Sequence, residues 1–211
     1  NQINLYGQFV LDEFSLGDIK KSDNSWKNKY GYQLGIKYYN AFRVSDLLLQ
    51  LEYNHVRPYV YSHSAPLTNY GHNNQSIGHQ WGGNFKELIA IARYHKGRYF
   101  ADAKVTMGTR GLDFDASENN FNYGGNIYKD YDENRPFDTD VKVGQGNKTA
   151  VFIADFQWGY LVNPATNLKI FGSYIYRSFD PAKNTVSTFT ESTNWLTLGL
   201  RADVFNWYFD Y

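Results

Sequence analysis

The chain has 211 residues, with 21 Lys+Arg balanced by 21 Asp+Glu, no Cys and 18% aromatic residues (19 Tyr, 15 Phe, 5 Trp). A formal charge of zero lacks the basic surplus of a nucleic-acid binder. Without Cys there is no disulfide framework, no thiolate nucleophile and no Cys-ligated metal. Aromatic richness favours strands, so the first expectation is an all-β chain. No run approaches the roughly 20 apolar residues of a transmembrane helix. A transmembrane barrel stays open, because alternating apolar and polar residues average out as hydrophilic. The chain opens directly in a strand-like pattern with no secretory signal, which suggests a mature, trimmed or partial sequence.

Alternation with a period of two predicts eight strands. Ile3, Leu5, Phe9 and Leu11 share one face of the first, over 3–11. Residues 30–38 place Tyr30, Tyr32, Leu34, Ile36 and Tyr38 together, opposite Gln33 and Lys37. Leu47, Leu49, Leu51 and Tyr53 oppose Gln50, Glu52 and Asn54. Leu88, Ala90, Ala92 and Tyr94 oppose Glu87 and Arg93. Across a tight turn at His95–Arg98, Tyr94 is expected to face Tyr99. Tyr99, Ala101, Ala103, Val105 and Met107 oppose Asp102, Lys104 and Thr106. The last three segments are 150–160, 168–177 and 196–204.

None of the apolar sets carries a charge. The opposite faces hold Asp12, Glu52, Glu87, Asp102, Asp155 and Asp203 against Lys37, Arg93, Lys104, Lys169, Arg177 and Arg201. Equal numbers of each sign suit a polar interior, where charges away from bulk water need partners. Tyr53, Tyr94, Tyr99, Trp158, Tyr160 and Tyr176 end their strands as interfacial aromatic girdles do. Short turns at 40–45, 96–97 and 162–167 alternate with long loops at about 15–29, 62–84, 109–147 and 178–193. That is the pattern of a transmembrane barrel with both termini on the short-turn, periplasmic side. The chain ends on Trp207, Phe209 and Tyr211, which resembles the C-terminal signal of outer-membrane barrels. The competing reading is a soluble sandwich or lipocalin-like barrel with its apolar face inward, since alternation alone does not say which face is inside.

Four stretches carry a family resemblance: LYGQFVLDEF (5–14), LEYNHVRPYVYSH (51–63), NYGHNNQSIGHQWGGNFKE (69–87) and LGLRADVFNWYFDY (198–211). They resemble the C-terminal portion of the Wzi-like capsule-assembly and gliding-motility outer-membrane proteins. The resemblance implies a larger barrel, of which residues 1–211 would be a single-domain part with about eight strands. It also implies a bacterial, Gram-negative outer-membrane location with extracellular loops. The family's namesake is a surface lectin that holds capsular polysaccharide to the cell.

Residues 62–84 gather His63, His72 and His79 with Asn69, Tyr70, Asn74, Gln75 and Trp81. The His spacing matches no zinc pattern, and no metal or cofactor is expected. A hydrogen-bonded loop over the barrel mouth is the plainer reading. The sharper one is a glycan or partner site at Asn69, Tyr70, His72, Asn74, Gln75, His79 and Trp81, where amides supply hydrogen bonds and aromatic rings a platform. The long loop at 109–147 has eight acids against four bases. It reads either as a solvated acidic surface or as an oxygen-rich Ca²⁺ site, although Asp130–Asn134 lacks EF-hand spacing. Its Phe114, Phe121, Tyr123, Tyr128, Tyr131 and Phe137 would suit a sugar chain or partner protein.

Catalysis has weak support. Glu52 with Glu87 is no glycosidase signature without a measured separation, and Ser62-His63-Ser64 lacks a nucleophile elbow. The expected function is a non-enzymatic outer-membrane barrel in capsule or surface-polysaccharide attachment, or a subunit of an envelope or gliding assembly. Its partners would be outer-membrane lipid, surface polysaccharide and other outer-membrane proteins. A diffusion pore, a small barrel anchor and an outer-membrane hydrolase are the alternatives.

Overall fold

The computed structural model describes residues 2–203. Eight long strands form one antiparallel sheet in chain order. Strand β1 (Ile3–Glu13) leads through a six-residue helix, α1 (Leu16–Lys21), to β2 (Lys29–Tyr39) and β3 (Leu47–Val56). A small hairpin, β4 (Gly71–His72) with β5 (Gln75–Ser76), lies in the next connection. The sheet continues with β6 (Phe85–Lys96), β7 (Tyr99–Leu112), β8 (Asn147–Asn163), β9 (Leu168–Pro181) and β10 (Glu191–Arg201). Every alternating segment of the sequence is a strand. The last lies several residues earlier than its pattern suggested, because Glu191 to Asn194 pair with Phe179 to Tyr176 and lengthen the β9–β10 hairpin at its loop end. Asp203 leaves the sheet altogether: its amide donates to the Thr166 carbonyl (3.1 Å) and its carboxylate accepts from Asn167 Nδ2 (2.6 Å). Val204 and the aromatic residues of the terminus lie outside the described residues.

Among the described residues β1 pairs only with β2, and β10 only with β9, so the sheet is open with two free edges. Short connections join β2 to β3, β6 to β7 and β8 to β9, and long ones fill the other end. The β6–β7 turn is tighter than the sequence suggested. Lys96 pairs with Tyr99 across Gly97-Arg98, and Tyr94 therefore faces Ala101, not Tyr99. Gly97 makes this possible: at φ +59° it takes the first turn position, where a two-residue hairpin favours glycine.

The register carries the apolar sets across the whole sheet in continuous rows. One row runs Ile3, Tyr38, Leu49, Ala92, Ala103, Phe156, Tyr174 and Leu196, from free edge to free edge. This face has no protein cover among the described residues: Leu5 is 75% exposed and Leu198 78%. The other face holds the core. Val56, Phe85 and Val151, with Val10, Ile153 and Phe179 beside them, all point to the charge-bearing side near the loop end. Val60 and Trp81 come down onto them from the β3–β6 connection. Packing is therefore the reverse of a soluble sandwich: the protein's own core lies on the polar face.

Three connections are locked together above that core by buried polar groups. Asn84, fully buried, donates from Nδ2 toward the carbonyls of Gly111 (3.1 Å), Tyr123 (3.0 Å) and Gln145 (3.0 Å). Its Oδ1 accepts from the Gly144 amide (2.7 Å). Arg57 Nη2 donates toward the carbonyls of Asn24 (3.2 Å), Ser25 (3.1 Å) and Val141 (3.4 Å). Tyr59, also fully buried, donates its hydroxyl to the Asn122 carbonyl (2.8 Å), and burial pushes its ionisation well above the usual tyrosine range. Backbones touch here because side chains are missing: Gly82 approaches the Gly125 carbonyl, and Gly124, at φ +79°, lies against the Tyr59 amide. Asn84→Ala removes a donor from the Gly111 and Gln145 carbonyls and the acceptor of the Gly144 amide, and its φ of +56° disfavours Ala. It should cost at least about 2 kcal/mol and raise amide exchange at Gly144 and cleavage between residues 113 and 146, with the strand amides still protected.

Candidate functional site

The loop end offers two cavities, and the stretch singled out in the sequence is divided between them. The larger, about 750 Å³, lies between the β4–β5 hairpin and the β7–β8 connection. Asn74, Gln75 and Trp81 line it from the first side; Phe114, Asn126 and Tyr128 line it from the second. The smaller, about 350 Å³, lies over β1–β3 and takes Tyr70 and His79 with Gln33 and Asn54. Asn69 and His72 line neither of these two. Asn69 sits beside Gly71 at the base of the hairpin, and His72 is exposed on it.

Each half of the stretch has its own reason to be ordered. Tyr70 donates its amide to the Tyr61 carbonyl (2.9 Å), and the two rings stack at 5.5 Å. His79 is held at both nitrogens. The Trp81 amide donates to Nδ1 (3.1 Å), so the hydrogen is on Nε2, which donates to Glu87 Oε1 (2.6 Å). The ring also stacks on Phe85 at 4.2 Å. Trp81 is only 8% exposed and packs edge-on to Phe85. It lies flat over Gly108, where any side chain would collide with the indole. His79 and Trp81 thus anchor the loop, as the plainer sequence reading had it. Tyr70, His72, Asn74 and Gln75 are the exposed members of the set.

Below His79 a polar network descends the sheet. Asn54 Nδ2 bridges Glu87 Oε1 (2.9 Å) and Glu52 Oε1 (3.0 Å). Glu52 also accepts from Gln33 Nε2 (2.9 Å) and the Tyr6 hydroxyl (2.6 Å), which in turn accepts from Gln50 Nε2 (2.7 Å). The two carboxylates are therefore tied to one another through a single carboxamide. Ser62 donates its hydroxyl to the Tyr59 carbonyl (2.7 Å) and acts as a turn brace.

The acidic loop is occupied with its own neighbours. Asp113 accepts from Lys129 Nζ (2.6 Å) and the Tyr123 amide (2.8 Å), and Arg135 pairs with Asp138 (2.7 Å) and Asp132 (3.4 Å). Lys142 pairs with Asp140 (2.9 Å), and Lys183 reaches across to Glu118. Asp115 binds the hydroxyl and amide of Ser187 in the β9–β10 connection, and those hydrogen bonds hold its carboxyl below the usual range. Among the described residues no three His, Asp or Glu side chains come together as a metal site. Of the loop's aromatic residues, Tyr123 is buried and Tyr131 packs against Trp26 (5.1 Å) and under Lys29 Nζ (3.5 Å). Phe121, Tyr128 and Phe137 stay exposed.

Arg110, which the sequence reading counted only among the four bases of the 109–147 loop, lies on the polar face of β7. It lines the larger cavity, and its guanidinium lies 5.6 Å from the Trp81 ring. The available signal was the paired motifs Trp81-Gly82-Gly83-Asn84 and Tyr123-Gly124-Gly125-Asn126. Their glycines let the two loops cross at backbone distance and wall off the space above Arg110. Comparisons of the chain with protein-family models, with curated proteins and with solved structures find no match.

The Glu87 contacts make a direct test of what orders the hairpin loop. Glu87→Gln keeps an oxygen for both His79 and Asn54, whereas Glu87→Ala removes both charge-assisted bonds. The Ala variant should raise exchange at the Trp81 amide at least about tenfold, equivalent to about 1.4 kcal/mol, the lower end of such bonds. The Gln variant should stay near wild type.

Proposed function

We propose that this chain is the loop-bearing part of a non-enzymatic outer-membrane barrel that holds surface polysaccharide at its extracellular end. The observation that carries the reading is the uncovered apolar face, continuous over eight strands, while the protein's core lies on the opposite, charged face. Exposed apolar surface on this scale calls for a partner or a membrane. Lipid accounts for its extent, and two aromatic bands account for its limits. At the short-turn end Tyr99 meets Tyr160 (5.0 Å) and Tyr38 meets Phe42 (5.7 Å). At the loop end Phe9 stacks on Tyr30 (6.2 Å), Tyr32 meets Tyr53 (6.1 Å) and Phe152 meets Tyr176 (6.0 Å). From Phe152 to Tyr160 is about nine residues, within the roughly 9–11 that a tilted strand needs to cross. No helix among the described residues is long and apolar enough to do so.

Free backbone edges are not tolerated in hydrocarbon, so β1 and β10 pair with further strands in the complete barrel, which agrees with the resemblance to larger capsule-assembly barrels. The termini then face the periplasm and the interlocked loops face outward. Sugar binding fits the cavity wall: amides for hydroxyl groups, with aromatic rings between them. A role as a subunit of an envelope or gliding assembly would use the same exposed loop surface. The diffusion-pore reading has one observation in its favour, a charged recess of about 390 Å³ lined by Arg93, Asp102, Lys104 and Asp155. The filled loop end weighs against it, and a silent planar-bilayer trace would exclude it.

The test replaces only exposed cavity residues. Asn74→Ala, Gln75→Ala and Asn126→Ala together should strip surface polysaccharide from cells while the protein still reaches the outer membrane and resists unfolding in detergent. Retention at wild-type level would remove this loop surface from the function. Trp81 is left intact, because Trp81→Ala would open a hole in the core and is expected to cost about 3–5 kcal/mol.

A further inference from the structure

The arginines that pack into this loop assembly are satisfied, with one exception. Arg57 has three backbone carbonyls, and Arg135 has two carboxylates and the Tyr131 carbonyl. Arg110 has five N–H donors to place, yet its only hydrogen bond among the described residues runs from Nη2 to the Trp81 carbonyl, at 3.3 Å. Its Nε is buried with no acceptor. No carboxylate lies within 4.0 Å of it, since no ion pair among the described residues includes it. The one acid lining the same cavity, Asp113, is already engaged by Lys129 and the Tyr123 amide. Arg110's cross-strand neighbours, Phe85 and Thr149, are both fully buried, so water is held away on the sheet side. A cation with a buried, unpaired N–H is unfavourable unless an acceptor from the open side completes it. The open side is the cavity, walled by the neutral amides of Gln75 and Asn126 and the ring of Tyr128.

We infer that the cavity between the β4–β5 hairpin and the β7–β8 connection is built for an acidic sugar, with Arg110 receiving the carboxylate of a uronic-acid residue. This rests on the polysaccharide reading above and adds the class of sugar to it. A planar guanidinium matches a carboxylate with two parallel N–H bonds, a pairing that lysine cannot reproduce. The amides and Tyr128 take the hydroxyls and one face of the ring, and the Lys129–Asp113 pair leaves the net positive charge of the cavity at Arg110.

The experiment uses the full-length protein in detergent and the surface polysaccharide purified from the organism that makes it. Binding is measured before and after chemical reduction of the polysaccharide's carboxyl groups to primary alcohols, which removes the charge and keeps the chain. Reduction should weaken binding at least about tenfold, the scale of one charge-assisted pair. Arg110→Gln should lose the same factor for the native polymer and nothing further for the reduced one, and Arg110→Lys should recover only part of it. Equal binding of both polymers to the wild type overturns the acidic-sugar assignment and leaves the polysaccharide function standing. Binding of neither overturns both. If Arg110→Gln fails to assemble, the comparison of the two polymers on the wild type still decides the matter.

Discussion

Period-two alternation obliges each strand to show one face to the protein and the other away from it, and in this chain the charged face is the one turned inward. Everything else follows from that inversion. Because the charged side is covered at its loop end, the carboxylates there need partners, and Glu52 and Glu87 find them in Asn54, Gln33 and Tyr6 of the sheet and in His79 above it. Because the apolar side has no protein against it, the strands need no second layer, and the chain uses its remaining length in loops. A soluble sandwich of the same composition would bury the Leu5-to-Leu198 face and leave Glu87 in water. Here Glu87 is 2% exposed and Leu198 is 78%.

The loops are ordered by polar groups more than by apolar burial. Few hydrophobic residues in them are buried, chiefly Tyr59, Val60, Trp81, Tyr123, Ile127 and Val141. Fixing so much irregular chain is entropically costly, and the offset comes from backbone groups being satisfied at a few junctions. Asn84 and Arg57 each collect carbonyls from segments distant in sequence, and the Gly-Gly pairs at 82–83 and 124–125 allow the approach that those bonds require. A second junction, at the β1–β2 end, seats Lys29 against Glu13 (3.0 Å) and the Tyr131 ring, with Arg135 on the far side over Trp26 (3.7 Å). Both junctions tie the long acidic loop down, one to the β3–β6 connection and one to the β1–β2 connection. The loop end is held in one arrangement for that reason.

Strand positions and faces were legible in the sequence because each strand is an almost uninterrupted binary pattern, from Ile3 to Leu11 and again from Ala150 to Tyr160. The direction of packing was legible only indirectly, through equal charge on one face and aromatic residues at strand ends. What the alternation could not express was anything set by contacts between loops. His79 and Trp81 look like a ligand-binding pair in sequence, but the fold spends both on holding the loop, at Glu87 and at Phe85. Tyr94 and Tyr99 were a plausible hairpin pair, and two residues fewer in the turn moved them apart. Arg110 had no local signature, since nothing in Thr109-Arg110-Gly111 says that two glycine crossings will enclose it; the signal lay only in the distant Gly-Gly pairs at 82–83 and 124–125.

The free edges bear on how the proposed barrel would be completed. At the β10 edge the polar face carries Trp195, 62% exposed, beside Phe171 and Ile175, which are only partly covered. Large apolar groups on a charged lumen wall are out of place if water fills the lumen next to them, and are well placed if more protein arrives there. At the β1 edge the same face alternates exposed amides, Asn4 and Gln8, with Tyr6 and Val10, and Val10 packs against the core. The two edges therefore differ: Val10 at the β1 edge is packed on the core, whereas Trp195 at the β10 edge stays exposed. Additional strands adjoining β10 that bring apolar residues onto the same face would bury Trp195 and continue the core already begun by Val151, Ile153 and Phe179. In the proposed barrel, the strands that complete it would supply the missing half of an internal core, in addition to closing the backbone ladder.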